Sequence, residues 1–230
     1  MSEAKRTRTP NEVWHEMVRG NARFIAGEPK HPRQDVEHRE QLAHAQAPHA
    51  ALFGCSDSRL AAEIIFDNGL GDLFVVRNAG QVISDSVIGS LEYAVAVLQV
   101  PLILVLGHDE CGAVRAAIDT HNPDAAPLPP HIASLIAPIV PAVERAKAVD
   151  GAVDAMEVGR EHLRDTVAEL LQGSELISEA IAAGTLAVIG ANYRLSEGRV
   201  VPDVVIGAVS LDDAPSSPSP LRPGQKGPTQ

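Results

Sequence analysis

Two short stretches carry most of the chain's reactive chemistry. Cys55-Ser56-Asp57-Ser58-Arg59 puts a thiol, a carboxylate and a guanidinium into one turn, and Gly107-His108-Asp109-Glu110-Cys111-Gly112 adds an imidazole and a second thiol. The chain contains 2 cysteines, so both fall in these stretches. Two thiolates and an imidazole form a donor set that suits zinc, which makes Cys55, His108 and Cys111 candidate ligands. Three protein donors leave one tetrahedral position for water, the arrangement of a catalytic zinc site. Cys111 falls in the first turn of a predicted helix, where the positive end of the macrodipole lowers a thiol's pKa, and ionised sulfur is what zinc requires. The plainer reading is a pair of buried thiols beside a hydrogen-bonded histidine. Asp57 either takes the fourth metal position or accepts a hydrogen bond from water held there. Arg59 can grip that carboxylate in a charge-assisted pair and keep it off the metal. The other histidines, such as His31, His38 and His121, sit in polar segments and read as solvated surface residues.

These residues need a scaffold, and the apolar runs supply one. Residues 50–54, 73–76 and 102–106 are short, apolar on both faces and separated by helical patterns. Parallel strands covered by helices have this composition, whereas an exposed antiparallel meander alternates. The expected fold is therefore α/β, with a mainly parallel sheet covered by helices on either side. Ligands gather beyond the carboxyl ends of such strands, and Cys55, Arg77, His108 and Cys111 all fall there.

Upstream, Thr9-Pro10-Asn11-Glu12 matches a capping box with proline at the first helical position. Val13, Trp14, Met17, Val18, Phe24 and Ile25 then give a helical stripe up to Gly27. Such an N-terminal arm, about residues 9–45 with a second short helix over 36–45, covers its own domain or lies across a partner subunit. Asp85 is the expected N-cap of a helix bearing Val87, Ile88, Leu91, Ala94, Val95 and Leu98. A proline-rich loop over 119–131 leads to a helix kinked at Pro138 and Pro141. A long helix over 152–172 ends at Gly173, Ser174 caps another, and a fourth strand comes next over 186–190. Tyr193 is expected in a turn. Residues 199–206 form a last strand, placed at an edge by Pro202. Residues 211–230 lack an apolar pattern and read as a disordered tail, leaving 1–210 as a single domain.

Composition narrows the partners. At 45% apolar, the 230 residues match one ordinary globular domain. A formal charge of -11 repels phosphate backbones and anionic lipid, which argues against nucleic acid or a membrane surface as partner. The longest apolar tract, 94–106, is interrupted by Gln99 and Pro101 and is too short to span a bilayer. The basic N-terminus is not followed by an apolar h-region, so a cytoplasmic protein is expected, with the cysteines serving as ligands or reactive thiols and not as a disulfide.

Taken together, the two opening stretches resemble the paired motifs of the β-class carbonic anhydrases. Asn21-Ala22-Arg23-Phe24, Ala62-Glu63-Ile64-Ile65-Phe66-Asp67, Phe74-Val75-Val76-Arg77-Asn78-Ala79-Gly80 and Ser90-Leu91-Glu92-Tyr93-Ala94 resemble family stretches in the same order, from about residue 20 to 207. The resemblance implies one zinc per chain held by Cys55, His108 and Cys111. It also implies Asp57 and Arg59 as a catalytic dyad, and reversible hydration of carbon dioxide to bicarbonate and a proton by water activated on zinc. By the same resemblance Gln46, Phe74, Ala79 and Tyr93 line a narrow substrate pocket, partly across a dimer interface, and Gly112 brings its backbone near bicarbonate. The resemblance further implies a Rossmann-like, mainly parallel sheet and a homodimer or homotetramer, with the N-terminal helix embracing a neighbour. Ala79 stands where valine is common. Leu52 stands where a bicarbonate-regulated subgroup carries tryptophan, although Arg77 and Tyr193 match that subgroup's other two positions. A movement of Asp57 onto zinc at low pH is known in part of the family and stays open here. The competing readings are a carbon disulfide or carbonyl sulfide hydrolase on the same scaffold, and a non-catalytic zinc or bicarbonate sensor with Asp57 fixed on the metal.

Overall fold

The computed structural model describes residues 8–122, 124–148 and 152–211. Five strands form one sheet: β1 (Ala50–Cys55), β2 (Leu73–Asn78), β3 (Leu102–His108), β4 (Ala187–Arg194) and β5 (Arg199–Ile206). Their order is β2-β1-β3-β4-β5; β1 to β4 run parallel, and β5 returns antiparallel at the edge. This is the α/β, mainly parallel sheet that the apolar runs predict.

Helices cover both faces, and alternate strand residues enter opposite cores. Leu52, Leu104 and Ile189 pack with Val13, Trp14 and Met17 of α1 (Pro10–Ala26). The same core takes Ile65 of α3 (Ala62–Ile65), Val114 of α5 (Gly112–Asp119) and Val143 of α7 (Val140–Ala146). Their neighbours Phe53, Val105 and Val188 face the other way. There they meet Leu91 of α4 (Asp85–Ala96), Leu163 and Val167 of α8 (Ala155–Gly173), and Ile177 of α9 (Glu175–Ala182). Burial on both sides explains why these strands read as unbroken apolar runs.

Within the chain, the N-terminal helix is committed to its own sheet. Thr9 caps it, with Glu12 closing the capping box and Gly27 ending it in the left-handed region. Buried Asn21 fastens it by donating to the carbonyls of Ile65 and Gly198 and accepting from the Val200 amide. Gly20 permits the contact, because a Cβ there would lie 1.8 Å from the Phe66 carbonyl oxygen.

Several expectations need correction. The second helix, α2 (Val36–Leu42), stops short of Ala45. Ser84, not Asp85, is the N-cap of α4, and Asp85 is its first helical residue. The proline-bearing helix is interrupted by a 3-10 turn at Ala137–Ile139, between α6 (Pro130–Ile136) and α7. Tyr193 is not in a turn. It is a buried residue of β4, which runs past Gly190 because β3 pairs with it as far as Tyr193 and β5 as far as Arg194. Pro202 sits on edge strand β5 as expected, opposite Ala191, where the register shifts. Apart from Leu211, the expected disordered tail lies outside the described residues.

The segment after α1 is anchored on one carboxylate. Asp67 is almost fully buried and accepts from the backbone amides of Lys30 and His31 and from the Arg23 guanidinium. Burial alone would raise its pKa. The Lys30 amide, Arg23 and the His31 amide outweigh burial and hold it below its ordinary value of 3.8. The unfolded chain therefore binds this proton more readily than the folded one. Asp67 contributes stability above about pH 4, lost as the pH falls through its folded pKa. Thermal unfolding against pH should show the wild type's advantage over Asp67→Asn shrinking on acidification; a gap that widened would contradict this sign.

Candidate metal centre

The carboxyl ends of adjacent strands β1 and β3 bring the reactive stretches together. Cys55 is the last residue of β1 and His108 the last of β3. Cys111 is the N-cap residue of α5. One ligand atom from each of the three lies within 4.8 Å of the others, and all three residues are buried. Among the described residues no other group of histidine, cysteine and carboxylate meets that condition.

The histidine is set for a metal. A carbonyl oxygen only accepts, so the 2.7 Å contact between His108 Nδ1 and the Asp109 carbonyl puts the imidazole proton on Nδ1. Nε2 is then a bare lone pair, and it is buried with no hydrogen-bond partner. An orphaned acceptor normally costs about 1–3 kcal/mol, so its presence among two thiols argues for a cation as the missing partner. A carbonyl behind a ligating imidazole is also the usual way its tautomer and orientation are fixed. The residues present fit zinc.

Without a cation between them, two adjacent sulfurs cannot both ionise, and they share a proton. The Cys111 thiol hydrogen-bonds to Cys55 and pulls it down to about 4, helped by the amides of Gly80 and Asp57 against burial. Cys111 is correspondingly pushed up, first by Cys55 and then by burial. The α5 amides of Val114 and Ala113 do lower it, the effect anticipated from its helix position, but here they are outweighed. A divalent cation removes the conflict by balancing two thiolate charges.

Asp57 is held beside this group and away from it. Arg59 donates from Nε to Oδ1 at 2.9 Å and from Nη2 to Oδ2 at 2.7 Å, and its own amide donates to Oδ1 at 2.9 Å. This bidentate grip holds the carboxyl well below the usual carboxylate range. Arg59 also reaches the Glu110 carbonyl, tying the two motif loops together. Arg77, at the end of β2, donates to the carbonyls of Cys55 and Asp57 and so fixes the backbone of the first loop.

Other predicted site residues divide into two groups. Ala79 is exposed just after β2, beside Gly80, whose amide donates to Cys55 Sγ at 3.3 Å. Gly112 follows Cys111, and a Cβ there would meet nothing within 4 Å, so packing within the chain does not require glycine. Phe74 and Tyr93 instead form a tilted aromatic pair, centroids 6.1 Å apart, on the opposite core face from Cys55. Gln46 is exposed and precedes β1, at the far end of the strand from Cys55. One chain therefore does not bring Gln46, Phe74 or Tyr93 to the metal centre. A cavity of about 530 Å³ lined by Arg33, Pro48, His49, Asp72 and Pro101 lies at that far end too, remote from the cysteines.

His162 corrects the reading of the remaining histidines as surface residues. It is buried on α8, and its Nε2 donates to the Gly80 carbonyl at 2.6 Å. The sequence held a signal for it, since Val158, His162, Thr166 and Leu170 recur every four residues along the buried stripe of α8.

Gly80 itself is tightly specified. Its φ is +79°, and a Cβ would lie 2.8 Å from Ala113 Cβ and 3.1 Å from Ile139 Cδ1. Gly184 has a φ of +73° with open space around it. Gly184→Ala should therefore lose only the backbone strain, about 1–3 kcal/mol. Gly80→Ala should lose more and also weaken metal retention, read as thermal unfolding and zinc content of the two variants. Equal losses would mean that Gly80 makes no critical contact.

A helix-flanked parallel sheet with a Cys-His-Cys group at its carboxyl ends is the framework of a zinc-enzyme class, and comparison with known proteins identifies which. The carbonic anhydrase family model matches residues 50–200. Carbonic anhydrase 2 of Mycobacterium tuberculosis is 50% identical over 192 residues, covering 84% of this chain and 92% of that protein. A carbonic anhydrase of Mycolicibacterium smegmatis is 48% identical over 192 residues, covering 83% and 92%. Among solved structures, a β-carbonic anhydrase of Aspergillus fumigatus superposes with a TM-score of 0.64 at 27% identity, covering 73% of this chain and 82% of that one. The chain belongs to the carbonic anhydrase family, in its β class.

Proposed function

We propose that this protein catalyses the reversible hydration of carbon dioxide to bicarbonate and a proton, with zinc held by Cys55, His108 and Cys111. The observation that carries the metal assignment is the buried, unpartnered His108 Nε2 facing two buried thiols. Bound there, zinc supplies Lewis acidity that lets water ionise near neutral pH.

The chain's own residues supply the rest. Asp57, ionised and clamped by Arg59, would accept a hydrogen bond from the attacking oxygen and so aim its lone pair at the substrate carbon. Arg59 spends its guanidinium on both Asp57 oxygens, which keeps the carboxylate from taking a metal position and disfavours the sensor reading. Gly112 leaves room for the product beside Cys111. Gln46, Phe74 and Tyr93 act on the site of a second copy, with Gln46 donating to a substrate oxygen that gains charge. Supporting this, β2 is an edge strand of the described sheet and Tyr93 is 45% exposed beside it. We therefore read the protein as a homodimer or homotetramer built on one domain over 1–210. No helix among the described residues is long and apolar enough to cross a membrane, and we take the enzyme to be cytoplasmic.

Stopped-flow carbon dioxide hydration tests this reading. Activity should vanish on chelation and return on adding zinc. Hydrolysis of carbonyl sulfide with no hydration of carbon dioxide would favour the alternative substrate class.

A further inference from the structure

We propose that His162 is a positioning residue for the Cys55 sulfur, acting through Gly80, an inference that rests on the zinc reading above. His162 Nε2 donates to the Gly80 carbonyl at 2.6 Å, and the Gly80 amide donates to Cys55 Sγ at 3.3 Å. A carbonyl only accepts, so Nε2 carries the imidazole proton. Nδ1 is then a buried acceptor, and it has no partner. Burial also pushes the imidazole's pKa below its ordinary value, keeping it neutral. A core that needed only volume here would take an apolar side chain without an orphaned nitrogen.

The loop that His162 grips does not hold its shape unaided. Gly80 and Gln81 are consecutive left-handed residues, with φ of +79° and +42°. Asn78 braces them from one side by bonding both the amide and the carbonyl of Val82. Helix α8 braces them from the other: His162 donates to the Gly80 carbonyl, while the single hydroxyl hydrogen of Thr166, one turn on, goes to the His162 carbonyl at 2.8 Å and leaves the Gln81 carbonyl at 3.4 Å. With its carbonyl pinned, Gly80 keeps its amide aimed at the sulfur. That hydrogen bond withdraws electron density from the thiolate, so less passes to the metal, and it fixes where the sulfur sits. A thiolate ligand already offsets the metal's charge, so tempering its donation keeps the metal a stronger Lewis acid.

The test is the cobalt(II)-loaded full-length protein, whose thiolate-to-metal charge-transfer band reports sulfur donation directly. His162→Phe fills the space without a donor. Its band should move to lower energy, and its zinc affinity should fall about tenfold, the low end for an outer residue of a metal site. His162→Gln puts an amide donor near the Nε2 position and should restore both. A Phe variant with the wild-type band and affinity would overturn the proposal and leave His162 as packing. Proton-nitrogen correlation of the wild-type imidazole is a second arm that needs no substitution: the proposal requires the proton on Nε2, and a proton on Nδ1 overturns it. A wild type that took up no metal would sink the zinc reading, while the imidazole tautomer would still decide this proposal.

Discussion

His108→Ala is expected to abolish carbon dioxide hydration and to reduce zinc retained through dialysis from one per chain to a small fraction. The effect is large because it removes one of three donors and leaves two sulfurs that share a proton. The variant also separates function from folding. In the metal-free wild type Nε2 is a buried acceptor without a partner, so deleting the ring removes an unfavourable group as well as packing. The wild type should gain thermal stability from zinc, by about 2.7 kcal/mol when free metal is a hundredfold above its dissociation constant. The unfolding temperature of His108→Ala should hardly respond to zinc. Retention of zinc-dependent stabilisation and activity in this variant would mean that the metal sits elsewhere.

Asp57→Ala should keep its zinc and lose hydration, with kcat/KM falling about 10²- to 10⁴-fold, the span general-base and orienting groups ordinarily contribute. The carboxylate lies outside the metal donor group and is held by Arg59 at 2.7 and 2.9 Å, so removing it leaves the ligands intact. Arg59 then loses its anion and keeps only the Glu110 carbonyl. Arg59→Ala should be distinguishable from Asp57→Ala, because the freed carboxylate can swing to the metal, and added zinc would not relieve that inhibition. Metal content and stopped-flow rates on both variants separate the roles. Full activity in Asp57→Ala would remove the carboxylate from the mechanism.

The sheet and the gathering of Cys55, His108 and Cys111 are legible in the sequence for one reason. Strands buried on both faces must be apolar throughout, so β1, β2 and β3 announce themselves, and the loops just beyond their carboxyl ends are where chemistry collects. The continuation of β4 was not legible. Gly190-Ala191-Asn192-Tyr193 lacks the aliphatic run of a central strand and is extended because β3 and β5 pair with it on either side, a tertiary cause. Asp85 looked like a cap because its type suits one, yet the chain enters the helix one residue earlier, at Ser84. His162 was hidden by its charged neighbours Glu161, Arg164 and Asp165, although its place on the stripe of α8 was open to inspection. Gln46, Phe74 and Tyr93 have no signal of their own in a single chain. Only the family resemblance singles them out, and a single chain keeps them apart from the Cys55, His108 and Cys111 group.

The proposed catalysis depends on zinc being held by the two cysteine sulfurs and the His108 imidazole. X-ray absorption at the zinc edge of the purified holoenzyme measures that set directly. The prediction is two sulfur scatterers at about 2.3 Å and one or two nitrogen or oxygen scatterers at about 2.0–2.1 Å. A first shell of nitrogen and oxygen alone, with the two cysteines joined as a disulfide, would contradict it.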